Sequence, residues 1–426
     1  MTAGPGATHA KSVPDAMEAG EGPGDKAYEQ TPERPESNEK PVDDFLDSEW
    51  FPLNWPAMGF ESAARPVIWT VEFIDRYRIH RRVYDLLTND ERTAAIYPFA
   101  SFGNEGLNRV GIRAFHRNLF NERKVARISM DWDMDRSVTQ RFRYTDPSVL
   151  GSSFYAGMDQ KFGRYMDTRY YGLGNQSLKA NRYSFRSDYE SVTIQSGYGQ
   201  GRNLGVGIAL SVDHSEIRPS VPATPGTTAG VTPEQLGVIH DKTLLGVAGV
   251  ARFDRRRWRA ETLEGYRLLA TLGMFASPGG NPSRFLKWSV DAAWFQPLIH
   301  RGRVLVLRAW IESVHPLSGG EVGLFDLPAA GGDNFLRGFP TGRFRDRTAM
   351  VFSQEYRFPV WRFMDFTVFA DEGRVMSGPG SISFADMHLS WGASIRSRRR
   401  DLFLWRFVFA QSKEGIRLNL SFNQEF

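Results

Sequence analysis

From Ala94 to the C-terminus, apolar and polar residues alternate with a period of two, the pattern of strands whose two faces meet different surroundings. Across 416–426, Ile416, Leu418, Leu420, Phe422 and Phe426 share one face, while Arg417, Asn419, Ser421, Asn423 and Glu425 share the other. Across 384–396, Ala385, Met387, Leu389, Trp391, Ala393 and Ile395 oppose Asp386, His388, Ser390, Ser394 and Arg396. Arg109, Arg113 and Arg117 likewise oppose Val110, Ile112 and Ala114, and Ala126, Ile128, Met130, Trp132 and Met134 oppose Arg127, Ser129, Asp131 and Asp133. Turn signals divide the region into sixteen predicted strands: 94–102, 107–117, 124–134, 137–145, 149–162, 181–196, 203–216, 242–255, 257–270, 284–298, 301–315, 346–358, 361–374, 384–396, 401–411 and 414–426.

The connections alternate too. Those after even-numbered strands are short (119–123, 145–149, 254–257, 297–302, 359–361), and several after odd-numbered strands are long (163–180, 217–241, 316–345). A soluble β-sandwich uses strands of ~5–6 residues, whereas a membrane strand needs ~9–11. The reading is all-β: a sixteen-stranded antiparallel transmembrane β-barrel over 94–426, with both termini in the periplasm.

The preceding residues differ. Segment 1–48 is rich in Pro, Gly, Glu, Ala and Ser, and reads as a disordered linker without the apolar core of a signal peptide. Segment 49–93 carries Trp50, Phe51, Trp55, Phe60 and Trp69 and reads as periplasmic or interfacial. Within it, 67–87 has a loose helical period with many arginines, a candidate interfacial helix or a helix packed on a protein body.

Composition sharpens this picture. The chain of 426 residues is 41% hydrophobic and 24% charged, and no uncharged apolar run approaches the ~18–20 residues of a membrane helix. Membrane strands bury only alternate residues, so they survive this test. The absence of cysteine removes disulfides, thiolate metal sites and cysteine nucleophiles. The net charge of +4 is spread along the chain, with Arg255–Arg257 and Arg398–Arg400 at predicted turns, so no nucleic-acid partner is expected.

Three motifs follow one another near the C-terminus: Gly331-Gly332-Asp333-Asn334-Phe335-Leu336-Arg337-Gly338-Phe339, then Glu355-Tyr356-Arg357-Phe358-Pro359, then Phe369-Ala370-Asp371-Glu372-Gly373-Arg374. In order and spacing they resemble the BamA/TamA-type outer-membrane superfamily, the bacterial surface antigens, which includes assembly factors and two-partner secretion transporters. The resemblance implies that the connection after the eleventh strand folds back into the lumen behind an Arg-Gly-Phe tip. Chemistry points the same way, since a buried Arg337 needs a carboxylate. Parity puts Asp365, Thr367, Phe369 and Asp371 on the inner face of one strand, and Ser353, Glu355 and Arg357 on that of its neighbour. Asp371 is then the expected bidentate partner, Glu355 a second acceptor and Phe369 a stacking surface, unless Arg337 is a solvated loop residue. Gly338 is expected to let the tip turn sharply, and Gly373 to make room for the approaching loop. Phe422 and Phe426 resemble the C-terminal signal of barrel substrates.

The POTRA domains usual in the family find no counterpart in 49–93. The implied role is insertion or translocation of polypeptide through the seam between the first and last strands. The alternative is a passive pore or a structural surface-antigen barrel. Expected partners are outer-membrane lipid and unfolded polypeptides, with the chain acting as a monomer. No enzyme is expected: standard catalytic motifs are absent, and Asp213-His214 alone hints at barrel proteases that activate water with Asp and His. The eight histidines lack metal-ligand spacing, so neither metal nor cofactor is expected. Glu234 and Asp241 find no partner, and Gly172-Leu173-Gly174-Asn175 reads as a tight turn.

Overall fold

The computed structural model describes residues 86–91, 93–103, 108–199, 203–219, 241–256, 264–278, 283–298, 302–361, 364–397 and 405–422. Segment 1–48, most of 49–93, Glu234 and Phe426 lie outside them.

Among the described residues, eighteen strands run in chain order. The first eleven are β1 (Ala94–Gly103), β2 (Arg109–Leu119), β3 (Lys124–Asp133), β4 (Val138–Asp146), β5 (Phe154–Tyr170), β6 (Tyr183–Tyr198), β7 (Leu204–Pro219), β8 (Asp241–Asp254), β9 (Gly265–Ala276), β10 (Arg284–Pro297) and β11 (Val304–Pro316). Two short strands, β12 (Ala329–Ala330) and β13 (Phe344–Arg345), pair only with each other. The last five are β14 (Thr348–Trp361), β15 (Met364–Met376), β16 (His388–Ser397), β17 (Trp405–Ser412) and β18 (Gly415–Phe422). All except β12 and β13 join one closed barrel of chain neighbours, in which β11 meets β14 and β1 meets β18. The sixteen predicted strands are these sixteen staves.

Side-chain direction follows the predicted parity. Ser390 and Ser394 on β16 and Arg417 on β18 are buried toward the lumen, while Leu389, Trp391, Ile416 and Leu418 are exposed on the outside. The outer face continues with exposed Ile194, Ile208, Leu210, Leu272 and Trp294. Water would disfavour such a surface, whereas lipid suits it. Aromatic side chains ring its lower rim at the end where the barrel begins and finishes: Phe154 on Tyr198 at 5.5 Å, Phe253 stacked on Tyr266 at 5.4 Å, and Phe358 against Phe366 at 5.4 Å.

Four boundaries depart from expectation. The start of predicted strand five is a 3-10 turn at Val149–Gly151, where Leu150 and Gly151 have φ of 50° and 73°. The strand then continues through a bulge between Tyr165 and Thr168 to Tyr170, which shortens the expected 163–180 loop. Strand nine begins at Gly265, later than the predicted 257. The fourteenth predicted strand begins late as well: β16 starts at His388, after Ala385 and Met387.

Candidate functional site

The connection from Leu317 to Arg347 leaves β11, enters the lumen and returns to β14. Lys242 on β8 pins its first turn by an ion pair with Asp326, both wholly buried. The β12–β13 ribbon then presents the tip. Gly331 and Gly332 have φ of 117° and 104°, and a side chain at Gly331 would strike the Pro340 carbonyl. Their N–H groups donate to the carbonyls of Phe335 and Phe339 at 3.0 Å each, folding 331–339 into a compact knuckle.

Phe335 stacks on Trp310 of β11, with ring centroids 4.2 Å apart, and the Arg308 guanidinium lies over its ring at 4.7 Å. Leu336 and Phe339 are fully buried. Phe339 meets Phe344 edge-on at 5.2 Å, and Phe344 lies flat on His388 at 3.9 Å. These contacts seat the loop by packing, and Arg337 supplies its charge.

The guanidinium of Arg337 grips Asp371 through two bonds, Nε to Oδ2 at 2.9 Å and Nη2 to Oδ1 at 2.6 Å. The backbone N–H of Arg337 donates to the same Oδ2 at 3.0 Å. Nη1 donates to Glu355 Oε1 at 2.7 Å, and the ring of Phe369 lies 3.5 Å from the guanidinium carbon. The other oxygen of Glu355 takes two bonds from Arg357, at 2.9 and 2.6 Å. Asp371 is wholly buried and Arg337 nearly so. Burial works against the charge on Arg337, but Asp371 and Glu355 outweigh it and hold the guanidinium protonated above its ordinary range. The structure thus brings together Arg337, Asp371, Glu355 and Phe369.

Gly338 acts differently from the expected turn-former. The left-handed residue of the tip is Leu336, with φ of 65°. Gly338 instead passes so close to the barrel wall that an added Cβ would lie 2.6 Å from the Ser390 Cβ and 2.9 Å from the Gln411 carbonyl. Gly373 gives room to Val351 and to the side chain of Leu336, rather than to loop backbone.

Several residues that sequence reasoning missed complete the seat. Ser412 on β17 donates to the Gly338 carbonyl at 2.7 Å. Arg417 on β18 donates to the carbonyls of Arg337 and Phe339, and Asn419 donates to Asp333 at 2.9 Å. Arg343 pairs with Glu414 at 2.8 Å and donates to the Ser177 carbonyl at 2.7 Å. The tight turn at 172–175 has glycines with φ of 100° and 88°, and its Asn175 reaches across the mouth to accept the Val375 N–H at 3.1 Å and donate to the Asp386 carbonyl at 2.8 Å. The signal available for Arg417, Ser412 and Asn419 was their inward parity.

Phe422 closes β18 and faces outward, opposite Ala100 and Trp405. Asp213 and His214 stand on opposite faces of β7, as strand neighbours must. Asp213 is buried and accepts from Ser191 at 2.6 Å and Ser211 at 3.1 Å, whereas half-exposed His214 meets Thr243 at 3.2 Å. Asp241 opens β8 and lies 3.7 Å from His214, largely exposed.

The barrel resembles solved structures of low sequence identity, which speak for the fold alone. BamA of Haemophilus ducreyi, in a form lacking POTRA domains 1–3, superposes with a TM-score of 0.58 at 13% identity, covering 78% of this chain and 70% of that one. CdiB of Acinetobacter baumannii gives 0.53 at 14% identity, covering 78% and 60%, and CdiB of Escherichia coli gives 0.52 at 10%, covering 77% and 62%. The chain thus spans less than two thirds of the length of either CdiB. No curated protein matches it by sequence. The model of the Omp85 superfamily domain matches residues 124–425, most of the barrel and the whole of the lumenal loop. The chain belongs to the Omp85 superfamily.

Proposed function

We propose that this barrel inserts or translocates polypeptide at the outer membrane of a Gram-negative-type bacterium, without covalent chemistry, by parting the seam between β1 and β18. The observation that carries the reading is the seam itself. Among the described residues, four pairs close it, Ala100–Gly103 against Asn419–Phe422. The other partner of β1 runs along it from Ala94 to Ser101, and β17 follows β18 from Gly415 to Phe422. Ladder pairing is the main cohesion of a barrel in lipid, so this is where strands separate at least cost. The superfamily's assembly factors and secretion transporters support the same reading, and Arg337 with its partners would hold the loop as a fixed floor beside the seam.

Ser101 and Ser421 face each other across the seam in register. A Ser101→Cys/Ser421→Cys variant introduces the chain's only thiols. In lipid vesicles, the reduced variant is expected to speed insertion of an unfolded outer-membrane polypeptide, and the oxidised variant to lose that effect. Equal acceleration in both forms would refute seam opening. Solute leakage without any insertion would assign the barrel to the passive-pore reading.

A further inference from the structure

The connection 171–182 leaves the wall between β5 and β6, at the mouth opposite the end where the barrel begins and finishes. Counted round the ring from β1, β16 and β15 hold places 4 and 5, and β6 and β5 hold places 12 and 13 of sixteen. The β15–β16 side is therefore the far side of the mouth, and Asn175 crosses to it. Besides the side-chain bonds to Val375 and Asp386, the Asn175 carbonyl accepts from His388 Nε2 at 2.8 Å, at the start of β16. Midway, the Gly174 N–H donates to the Arg345 carbonyl at 2.9 Å, and Arg343 donates to the hydroxyl and the carbonyl of Ser177 at 2.9 and 2.7 Å. Lys179 donates to the Glu414 carbonyl at 3.3 Å, in the turn between β17 and β18. The connection is a strap across the mouth, resting on the lumenal loop.

Its fastening differs in kind from that of the loop beneath. The loop sits on buried rings and buried ion pairs. In the strap, Tyr171 is buried with Arg343 over its ring at 4.8 Å, but Leu173 and Leu178 are exposed. Beyond Tyr171 the contacts across the mouth are hydrogen bonds at the edge of water. Such bonds contribute modestly, because water competes for both partners. A segment held this way opens locally while the packed body stays folded. Below the strap, Phe325 of the loop packs on Phe185 of β6 at 6.3 Å, an apolar seat. Next to it, β4 and β5 line the lumen with charge, where Arg141 Nε donates to Asp159 at 2.9 Å.

We propose that segment 171–182 is a gate over this mouth, bolted by Asn175, which controls the passage of ions and small polar solutes along the charged side of the lumen. Asn175 is the bolt because its side chain and carbonyl engage the far wall at Val375, Asp386 and His388. Releasing it frees the strap without touching Arg337, Asp371 or Glu355, so the lumenal loop stays seated. The inference concerns the mouth and holds under either reading of the seam.

The test is ion conductance of the full chain in planar lipid bilayers. An Asn175→Cys/Asp386→Cys variant places two thiols in a chain without cysteine. With both thiols reduced, mean conductance should rise about fivefold or more, the population change that follows from losing hydrogen bonds of ordinary net strength. Joining the two thiols with a short bis-maleimide should restore the parent's conductance. Leu173→Ala, on the same strap, should match the parent, and unheated gel mobility confirms the barrel in each sample. No rise in the reduced variant, or a rise that the bridge does not reverse, would overturn the proposal. An equal rise in Leu173→Ala would overturn it as well. Polypeptide insertion is read separately, so a failure of seam opening leaves this outcome intact.

Discussion

Arg417 on β18 donates from one guanidinium nitrogen to the main-chain carbonyls of Arg337 and Phe339, at 3.0 and 2.7 Å. The loop therefore holds the last stave from within, on the side where β1 pairs with it. Arg417→Ala should remove this inner support while leaving the Arg337–Asp371 contact intact. Amide exchange in β18 is expected to speed up more than in β15. Equal protection in the two strands would show that the seam alone decides the mobility of β18.

Arg337→Ala leaves Asp371 and Glu355 buried without their shared cation, a change that typically costs about 3–5 kcal/mol. Proteolysis within 317–347 should become readily detectable, and the temperature at which the barrel loses its fast gel mobility should fall. Arg337→Lys should rescue poorly, because an ammonium cannot span both oxygens of Asp371 and also reach Glu355. An unchanged digestion pattern in Arg337→Ala would mean that packing of Phe335, Leu336 and Phe339 suffices.

Gly338→Ala pushes a methyl group into the Ser390 Cβ and the Gln411 carbonyl, neither of which can swing away. Overpacking of this kind costs about 1–3 kcal/mol. Gly373→Ala meets the more yielding Val351 side chain at 2.9 Å and should cost less. Urea midpoints of the two variants decide the order.

Asp213→Ala strips an acceptor from Ser191, Ser211 and Tyr189, whose hydroxyls donate to it, and should cost about 1–3 kcal/mol. His214→Ala removes a half-exposed ring and should fall within about 0.5 kcal/mol of the parent. Loss of a hydrolytic activity on replacing either residue would revive the dyad that their placement on opposite faces argues against.

The barrel was legible in the sequence because lipid and lumen impose opposite demands on alternate residues, and that alternation survives in the order of the letters. The core of the site was legible for a related reason: once Arg337 is placed in the lumen, parity leaves Asp371 and Glu355 as the inward carboxylates nearest it. The path of a loop has no such period. Arg343 meets Glu414, and Asn175 meets Val375, across separations of 71 and 200 residues that no local pattern encodes. Boundaries failed where turn residues misled. Arg255–Arg257 read as a complete turn, and the bulge after Tyr165 let β5 run on where parity breaks.

The loop's polar grip falls largely on residues that follow it in the chain: Glu355, Asp371, Ser412, Glu414, Arg417 and Asn419. This arrangement predicts an order of assembly. The C-terminal staves can gather around the loop as a curved half-barrel, through contacts of modest sequence separation. Joining Gly103 to Asn419 comes last, because it closes the largest chain loop. On the proposed reading, the step that finishes the barrel in folding is then the one that is undone in the finished protein.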